Sequence, residues 1–303
     1  MRLIRLQQTS VARTCLHHKE LQITVLGYPS TVDFGDYMNR KTKKTIITTI
    51  SCVCLVAGLV CLGFVAYKEI DPLIKASEIV ELADDVSGDN LADDVTNATN
   101  GVADNDTVQP VELVNGERLR QKAPAAIAWL KLAGTNINHP VALPPSGNDN
   151  YYLTHDVYGN YSESGTLFLD PLCSLSSTAK VVYGHKMNAH TMFHDIGNKA
   201  DQWAFDQLGI LDWWDRDSGT KHLIPVAAQR VNANETNLRN VPQMDEKELT
   251  AWELNFYKQA TAKADGSVVS KLDGKRHVVF LVTCSGYVAY GHDARTVVMF
   301  VEI

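Results

Sequence analysis

The sequence predicts a mainly β domain with added helices, preceded by one transmembrane helix and an acidic linker. Three observations predict this arrangement. Residues 45–67 form an uncharged apolar run, residues 77–116 contain many acids and no Lys or Arg, and the later sequence has short runs rich in β-branched residues between turn formers. The predicted boundaries are therefore an N-terminal segment (1–44), the membrane helix (45–67), the linker (68–117) and the folded domain (118–303).

The N-terminal segment leaves two interpretations open. Residues 1–37 have mixed polarity and no apolar run, whereas Met38 is followed by Asn-Arg-Lys-Thr-Lys-Lys and at once by the apolar stretch. A few basic residues and then a span are how an anchored bacterial protein normally begins. Residues 1–37 are thus either a short cytoplasmic tail or an untranslated extension before an initiator at Met38.

The apolar run is long enough to cross a bilayer. Its 23 residues lack any charged side chain, and a helix of this length reaches about 34 Å against a hydrocarbon core of about 30 Å. The run is uniformly apolar rather than striped, which argues against a buried core helix. It also exceeds the apolar region of a cleaved signal peptide and lacks a small-x-small cleavage site before Tyr67, so a retained anchor is predicted.

Basic residues predict the orientation of this anchor. Arg40, Lys41, Lys43 and Lys44 directly precede the span, and only Lys68 follows it closely. Because lysine and arginine favour the cytoplasmic side, the N-terminus is predicted to be cytoplasmic and the folded domain extracellular.

The negative charge of the chain is concentrated in one segment. Ten acids lie within residues 77–116, and the formal net charge of the whole chain is −7. With few aromatics and many Asp, Asn, Thr and Gly residues, this stretch is predicted to be a disordered, extended spacer. Its first part, residues 69–86, is open to a continued helix.

The folded domain is predicted to be mostly sheet. The predicted strands are 165–170, 179–183, 222–231, 275–283 and 295–303, with 138–143 as an edge strand broken by Pro144 and Pro145. Residues 124–132 are predicted to be a short helix followed by a turn. A longer helix should begin at Asp245-Glu-Lys-Glu248, which has the form of a capping box, with Leu249, Trp252, Glu253, Phe256 and Ala260 on one face.

Three reactive side chains stand at predicted strand ends. Cys284 ends one apolar run, Arg295 stands at the head of the next, and His185 ends Val-Val-Tyr-Gly-His. Together they supply a nucleophile, a proton-transfer group and a fixed positive charge. The competing interpretations are an inert buried thiol at Cys284 and His292 as the functional imidazole.

The remaining histidines and cysteines are given lesser roles. His190 and His194 are predicted to be surface residues. Cys173 and Cys284 are the two cysteines of the predicted extracellular part, so a disulfide between them is open on count alone. No Cys-x-x-Cys pair or Cys/His cluster in the sequence suggests zinc, and neither a metal nor another cofactor is predicted.

Four motifs resemble those of the class B sortases, membrane-anchored cysteine transpeptidases of Gram-positive bacteria. They are Gly-Thr-Leu-Phe-Leu-Asp (165–170), Val-Val-Tyr-Gly-His-Lys-Met (181–187), Leu-Val-Thr-Cys (281–284) and Asp-x-Arg-Thr-Val-Val (293–298). Their order and approximate spacing agree with the family over residues 120–303. The resemblance implies a sortase-type β-barrel with added helices.

The resemblance also implies a reaction and partners. Cys284 would cleave a C-terminal sorting signal of exported proteins after Thr, and a peptidoglycan or pilin amine would receive the acyl group, with His185 and Arg295 assisting. The family suggests signals of the Asn-Pro-x-Thr or Ser/Pro-Pro-x-Thr type. No nucleic-acid partner is predicted.

Substrate-binding residues follow from the same resemblance. Asn148, Asn150 and Thr283 are the candidates, and the choice between the two asparagines stays open because relatives place Asp-Asn slightly differently before Tyr-Leu. The sequence Asp170-Pro-Leu-Cys173 departs from the polar pair that relatives carry after the Asp.

Two alternative functions remain. One is a cysteine peptidase that only hydrolyses, although His before Cys is not the papain order. The other is a non-catalytic, membrane-tethered binding module in which Cys173 and Cys284 are joined.

Overall fold

The computed structural model describes residues 40–88, 112–232, 237–285 and 293–303. The N-terminal stretch before residue 40, including Met38, lies outside the described residues, as do the middle of the predicted linker and His292. Nine strands and four α-helices are present in the described part. The helices are α1 (Arg40–Asp85), α2 (Gly116–Lys122), α3 (Gln202–Phe205) and α4 (Glu246–Gln259). The strands are β1 (Ala126–Leu132), β2 (Asn138–Ala142), β3 (Leu167–Leu169), β4 (Ala179–Tyr183), β5 (Leu211–Asp215), β6 (Gly219–Asn232), β7 (Ala262–Lys263), β8 (Val278–Cys284) and β9 (Ala294–Glu302).

The strands form a closed barrel. Their order is β5-β1-β2-β3-β4-β8-β9-β6, and β5 also pairs with β6, so the eight strands close on themselves while β7 adds to β6. The pairs β2–β3 and β4–β8 are parallel and the others antiparallel. The predicted mainly β fold, a barrel with added helices, is confirmed.

Every strand contributes buried apolar side chains to the core of the barrel and its packed helices. Phe280 and Phe300 are fully buried, as are Leu130, Leu167 and Leu223. Burial of several such side chains, each contributing about 1.5–3 kcal/mol, is the main force that holds the strand ends in place.

Helix α4 confirms the predicted capping box. The Asp245 carboxylate accepts the Glu248 N–H at 2.8 Å, and the Glu248 carboxylate accepts the Asp245 N–H at 3.2 Å. The Trp252 and Phe256 rings then pack against Phe280 of β8, which fixes the helix on the barrel.

Two predictions about the first strands are wrong. Residues 126–132 form β1 rather than a helix, because pairing with both β2 and β5 outweighs the helix propensity of Ala and Leu. Strand β2 is not an edge strand, since it lies between β1 and β3. Pro140 is nevertheless accommodated inside it.

The apolar run lies in α1. It is the one helix among the described residues that is long and apolar enough to cross a membrane, and none of its most apolar window is buried in the protein. Because a core helix would be mostly buried, this exposure favours a membrane span over a helix of the protein core.

Both ends of the predicted acidic spacer are folded, contrary to a fully extended linker. Helix α1 continues to Asp85, and Leu82 and Val86 are buried with Val114 and Trp129. The Lys75 ammonium also lies 3.1 Å from the Asp156 carboxylate. Apolar side chains at three-to-four spacing stand between the acids and form the buried face of the helix. The acidic composition of the segment as a whole does not reveal this face.

Candidate active site

Three neighbouring strands bring the predicted reactive residues to one edge of the barrel. Strands β4 and β8 are parallel, so their carboxyl ends, followed by His185 and ending at Cys284, lie at the same edge. Strand β9 begins there because it runs antiparallel to β8, and Cys284 is paired with Arg295 in the register. The strand register therefore places Cys284 beside Arg295 at this edge of the sheet.

Cys284 is exposed, whereas Cys173 is buried. Burial raises the pKa of the Cys173 thiol to about 12, which keeps this second cysteine protonated and unreactive at neutral pH. Both thiols are free, so the disulfide left open by the cysteine count is wrong. Cys284 is therefore the accessible thiol of the barrel.

The His185 ring is oriented by a backbone carbonyl. Its Nε2 lies 2.8 Å from the Leu153 oxygen. A carbonyl oxygen only accepts, so this contact places a proton on Nε2. The backbone of His185 is also fixed, because its own carbonyl accepts the Phe193 N–H at 2.8 Å.

Thr283 fastens the ends of β4 and β8 to each other. Its side chain is buried, and the hydroxyl donates to the Gly184 carbonyl at 2.8 Å. This bond joins the residue before Cys284 to the residue before His185. Thr283 thus holds the strand ends that carry Cys284 and His185 in place.

Arg295 is half-buried, and its Nη1 donates to the Ala294 carbonyl at 3.1 Å. A guanidinium offers five N–H groups in a planar fork. Arg295 therefore brings this fork and its positive charge beside the thiol.

The three reactive residues line one cleft with a volume of about 460 Å³. Asn150 and Thr283 line it too, whereas Asn148 is not among the described residues that do. Of the two asparagines left open by the sequence, the structure thus places Asn150 at the cleft.

No family model matches the sequence. Sortase B of Staphylococcus aureus (strain NCTC 8325 / PS 47) is 23% identical over 180 residues, which cover 58% of this chain and 69% of that protein. A crystal structure of Clostridium perfringens sortase B has a TM-score of 0.53 and 26% identity, covering 62% of this chain and 99% of that one.

Two structures with bound molecules are also similar. The S. aureus sortase B–substrate complex has a TM-score of 0.58 and 19% sequence identity. Sortase B from B. anthracis in complex with AAEK1 has a TM-score of 0.55 and 18% sequence identity. Each covers 77% of this chain and 98% of the other. The likenesses in sequence and fold support a class B sortase, a family of cysteine transpeptidases.

A charged network that was not predicted from the sequence forms one wall of the cleft. Arg239 lies 2.9 Å from the Asp149 carboxylate and 3.3 Å from that of Asp170. Asp170 is fully buried and also accepts the Tyr183 hydroxyl at 3.0 Å. Burial and the neighbouring Asp170 charge raise the pKa of Tyr183.

No local sequence signal marks Arg239, which sits in a short 3-10 turn between β6 and α4. The Asp170 side chain has a structural explanation in this network, and it also accepts the Leu172 N–H at 2.9 Å. The departure from the family pattern after Asp170 thus leaves the aspartate itself in place at the cleft.

Proposed function

We propose that this chain cleaves a sorting signal near the C-terminus of exported proteins after Thr and transfers the acyl group to an amine. The observation that carries the proposal is the convergence of Cys284, His185 and Arg295 on one cleft, with Cys284 and Arg295 paired in the register. The likeness to sortase B, including one structure described as a substrate complex, supports it.

In the first step the Cys284 thiolate attacks the Thr carbonyl carbon of the signal. A tetrahedral oxyanion forms, and its charge requires a donor fixed in advance. Arg295 supplies two parallel N–H groups at this position or holds the backbone of the signal. The carbon–nitrogen bond then breaks, and His185 gives its proton to the leaving amine.

The second step reverses these roles. An amine attacks the thioester, His185 takes the proton from the amine, and the Cys284 thiolate leaves. The acceptor is a peptidoglycan cross-bridge amine or a pilin lysine. Water is the competing nucleophile, and it would give hydrolysis instead of transfer.

Asn150, Thr283 and the Arg239 wall are proposed to contact the signal. They line the cleft that contains the thiol. Thr283 acts mainly through its bond to Gly184, since its hydroxyl is already donated there.

The proposed location is the outer face of the cell membrane. The apolar part of α1 would anchor the chain, with the N-terminus cytoplasmic and the barrel outside. The anchored barrel would then meet exported proteins as they cross the membrane.

The test is incubation of residues 63–303 with sorting-signal peptides and an amine, followed by mass spectrometry. This fragment keeps the packed end of α1, which a protein beginning at residue 118 would lack. An amide between the Thr carboxyl and the added amine is expected. Cleavage with the free acid as sole product would support the hydrolytic peptidase instead, and an uncleaved peptide with every signal would refute the proposal.

A further inference from the structure

Two histidines and one aspartate converge on the loop after β4, outside the catalytic cleft. Ligand atoms of His190, His194 and Asp195 all lie within 4.8 Å of one another, and the two imidazole centroids are 3.9 Å apart. They line a separate cleft of about 570 Å³. None of the three is among the described residues that line the cleft of Cys284.

The His194 ring is held in the manner of a metal ligand. Its Nδ1 lies 2.7 Å from the Met187 carbonyl oxygen, which can only accept, so Nδ1 carries the proton. The lone pair of Nε2 is then available. Metal-binding histidines almost always donate the other ring N–H in this way, which fixes the tautomer and the ring orientation.

Asp195 is oriented by a comparable contact. Its Oδ2 accepts the Asn136 N–H at 2.9 Å. A carboxylate has about four lone-pair sites, so one such bond leaves capacity for a metal ion. Both His194 and Asp195 thus have a backbone partner that positions them and a free site for coordination.

The loop geometry that brings His190 to this cluster is unusual. His190 and Met192 have positive φ angles of 57° and 55°, a backbone region that residues other than glycine rarely adopt. The His190 N–H also reaches the Met187 carbonyl at 3.3 Å. A strained backbone of this kind persists where surrounding contacts hold it, and such sites are often functional.

The two nearby lysines are engaged elsewhere. The Lys199 ammonium is buried and donates to the Ala204 carbonyl at 3.1 Å, and burial lowers its pKa. The Lys186 ammonium lies 3.4 Å from the Ser285 carbonyl. Both cations reduce the affinity for a metal ion, and their own partners limit that effect.

We propose that His190, His194 and Asp195 bind a divalent first-row metal ion of the zinc class. Two imidazoles and one carboxylate suit Zn²⁺ better than Mg²⁺ or Ca²⁺, which prefer oxygen ligands alone. Tetrahedral ligands at about 2.0–2.1 Å lie roughly 3.3 Å apart, so the exposed His190 ring must rotate inward. Water completes the coordination.

A bound ion would stabilise the segment that begins with His185. The cluster lies on the same loop. Phe193, which stands between His190 and His194 in the sequence, donates its N–H to the His185 carbonyl. An ion that binds only the folded loop raises the free energy of unfolding by RT ln(1 + [L]/Kd), where [L] is the concentration of the free ion. This inference does not depend on the proposed transpeptidation.

The experiment is titration of the metal-stripped full chain with Zn²⁺ in detergent micelles, by calorimetry. Every protein carries Cys284→Ala, because an exposed thiol also binds zinc. The variant is His190→Ala, which removes an exposed side chain. The matched control is His222→Ala, an exposed histidine that lies 2.7 Å from Asp212 on another surface.

The Cys284→Ala parent and the His222→Ala control should share one zinc site that is at least tenfold weaker in His190→Ala. Other zinc-binding groups are common to all three proteins and cancel in the comparison. Zinc should also raise the unfolding temperature of the parent more than that of His190→Ala, while the metal-free unfolding temperatures agree. Equal zinc affinity and stoichiometry in parent and His190→Ala would overturn the proposal, as would equal losses in His190→Ala and His222→Ala.

Discussion

Glu253 should make the stability of this protein fall as the pH rises. Its side chain is fully buried on α4, and burial raises the pKa of the carboxyl to about 7. The Gly274 N–H donates to one oxygen at 3.4 Å, and the other has no hydrogen-bond partner in the described part. The cost of burying a charged carboxylate at this position is therefore poorly compensated by hydrogen bonds.

The sign follows from the protonation of the two states. Below the ordinary pKa of 4.5 the carboxyl is protonated in both the folded and the unfolded chain, so its ionisation does not change the free energy of unfolding. Between that value and about 7 the unfolded chain releases the proton first, so the folded state loses stability as the pH rises. At 1.36 kcal/mol per pKa unit, the loss between pH 5 and pH 8 is about 2–3 kcal/mol.

The assay is urea unfolding of residues 63–303 at pH 5 and pH 8 for wild type, Glu253→Gln and Glu246→Gln. Glu246 is an exposed acid on the same helix, paired with Lys275 at 3.2 Å, and serves as the control. The wild type and the control should lose about 2–3 kcal/mol more than Glu253→Gln between the two pH values. Equal pH dependence in Glu253→Gln and wild type would refute the reasoning.

Four further predictions concern the cleft. Cys284→Ala should abolish thioester formation and transfer in mass spectrometry, whereas Cys173→Ser should retain most activity; a fully active Cys284→Ala would exclude the assigned nucleophile. His185→Ala should lower kcat by about 10²–10⁴ with the fold unchanged by circular dichroism, and a smaller loss would remove its proton-transfer role. Arg295→Lys should not rescue Arg295→Ala, because an ammonium lacks the two-pronged fork; near-normal steady-state rates for lysine would show that charge alone suffices. Thr283→Val should destabilise the protein by about 1–3 kcal/mol in urea, since it leaves a carbonyl acceptor unpaired, and unchanged stability would contradict that contact.

The sequence predicted the strands that carry the reactive residues well. Strand β4 matches the predicted 179–183, and β8 and β9 differ from prediction by a few residues at most. These segments are apolar runs bounded by turn formers, a pattern that depends little on the rest of the fold. The meeting of Cys284 with Arg295 could be predicted because antiparallel neighbours share an edge.

The barrel closure could not be predicted in this way. Strand β5, which pairs with both β1 and β6, was missed, and β1 was assigned to a helix. Residues 211–215 contain two tryptophans between aspartates. Asp215 is buried, and the cost of burying its carboxylate is compensated because it accepts the Trp213 N–H at 2.9 Å. That compensation depends on the folded structure, so the segment looks too polar for a closing strand.

The proposed metal cluster and the charged wall were not predicted from the sequence either. The i, i+4 spacing of His190 and His194 was visible in the sequence, but these residues are not on an α-helix: the backbone has a positive φ at His190, and a short 3-10 helix follows at His194–Ile196. Arg239 meets Asp149 and Asp170 only after the chain has passed through β6. The contacts of Arg239 join segments that are distant in the chain, so they leave no periodic pattern to detect.

Two threonines explain how the His185 loop is held against the strands of the other reactive residues. Thr283 and Thr296 face each other in the β8–β9 register, one position from the Cys284–Arg295 pair, and both are buried. Thr283 donates to the Gly184 carbonyl at 2.8 Å and Thr296 to the Gly197 carbonyl at 2.8 Å. The two bonds thus fix both ends of the segment that starts with His185. Because side chains alternate between faces, a slip of one residue in either strand would turn a threonine outward and Cys284 or Arg295 inward. The register that places the thiol beside the guanidinium therefore also fixes the loop that carries the imidazole.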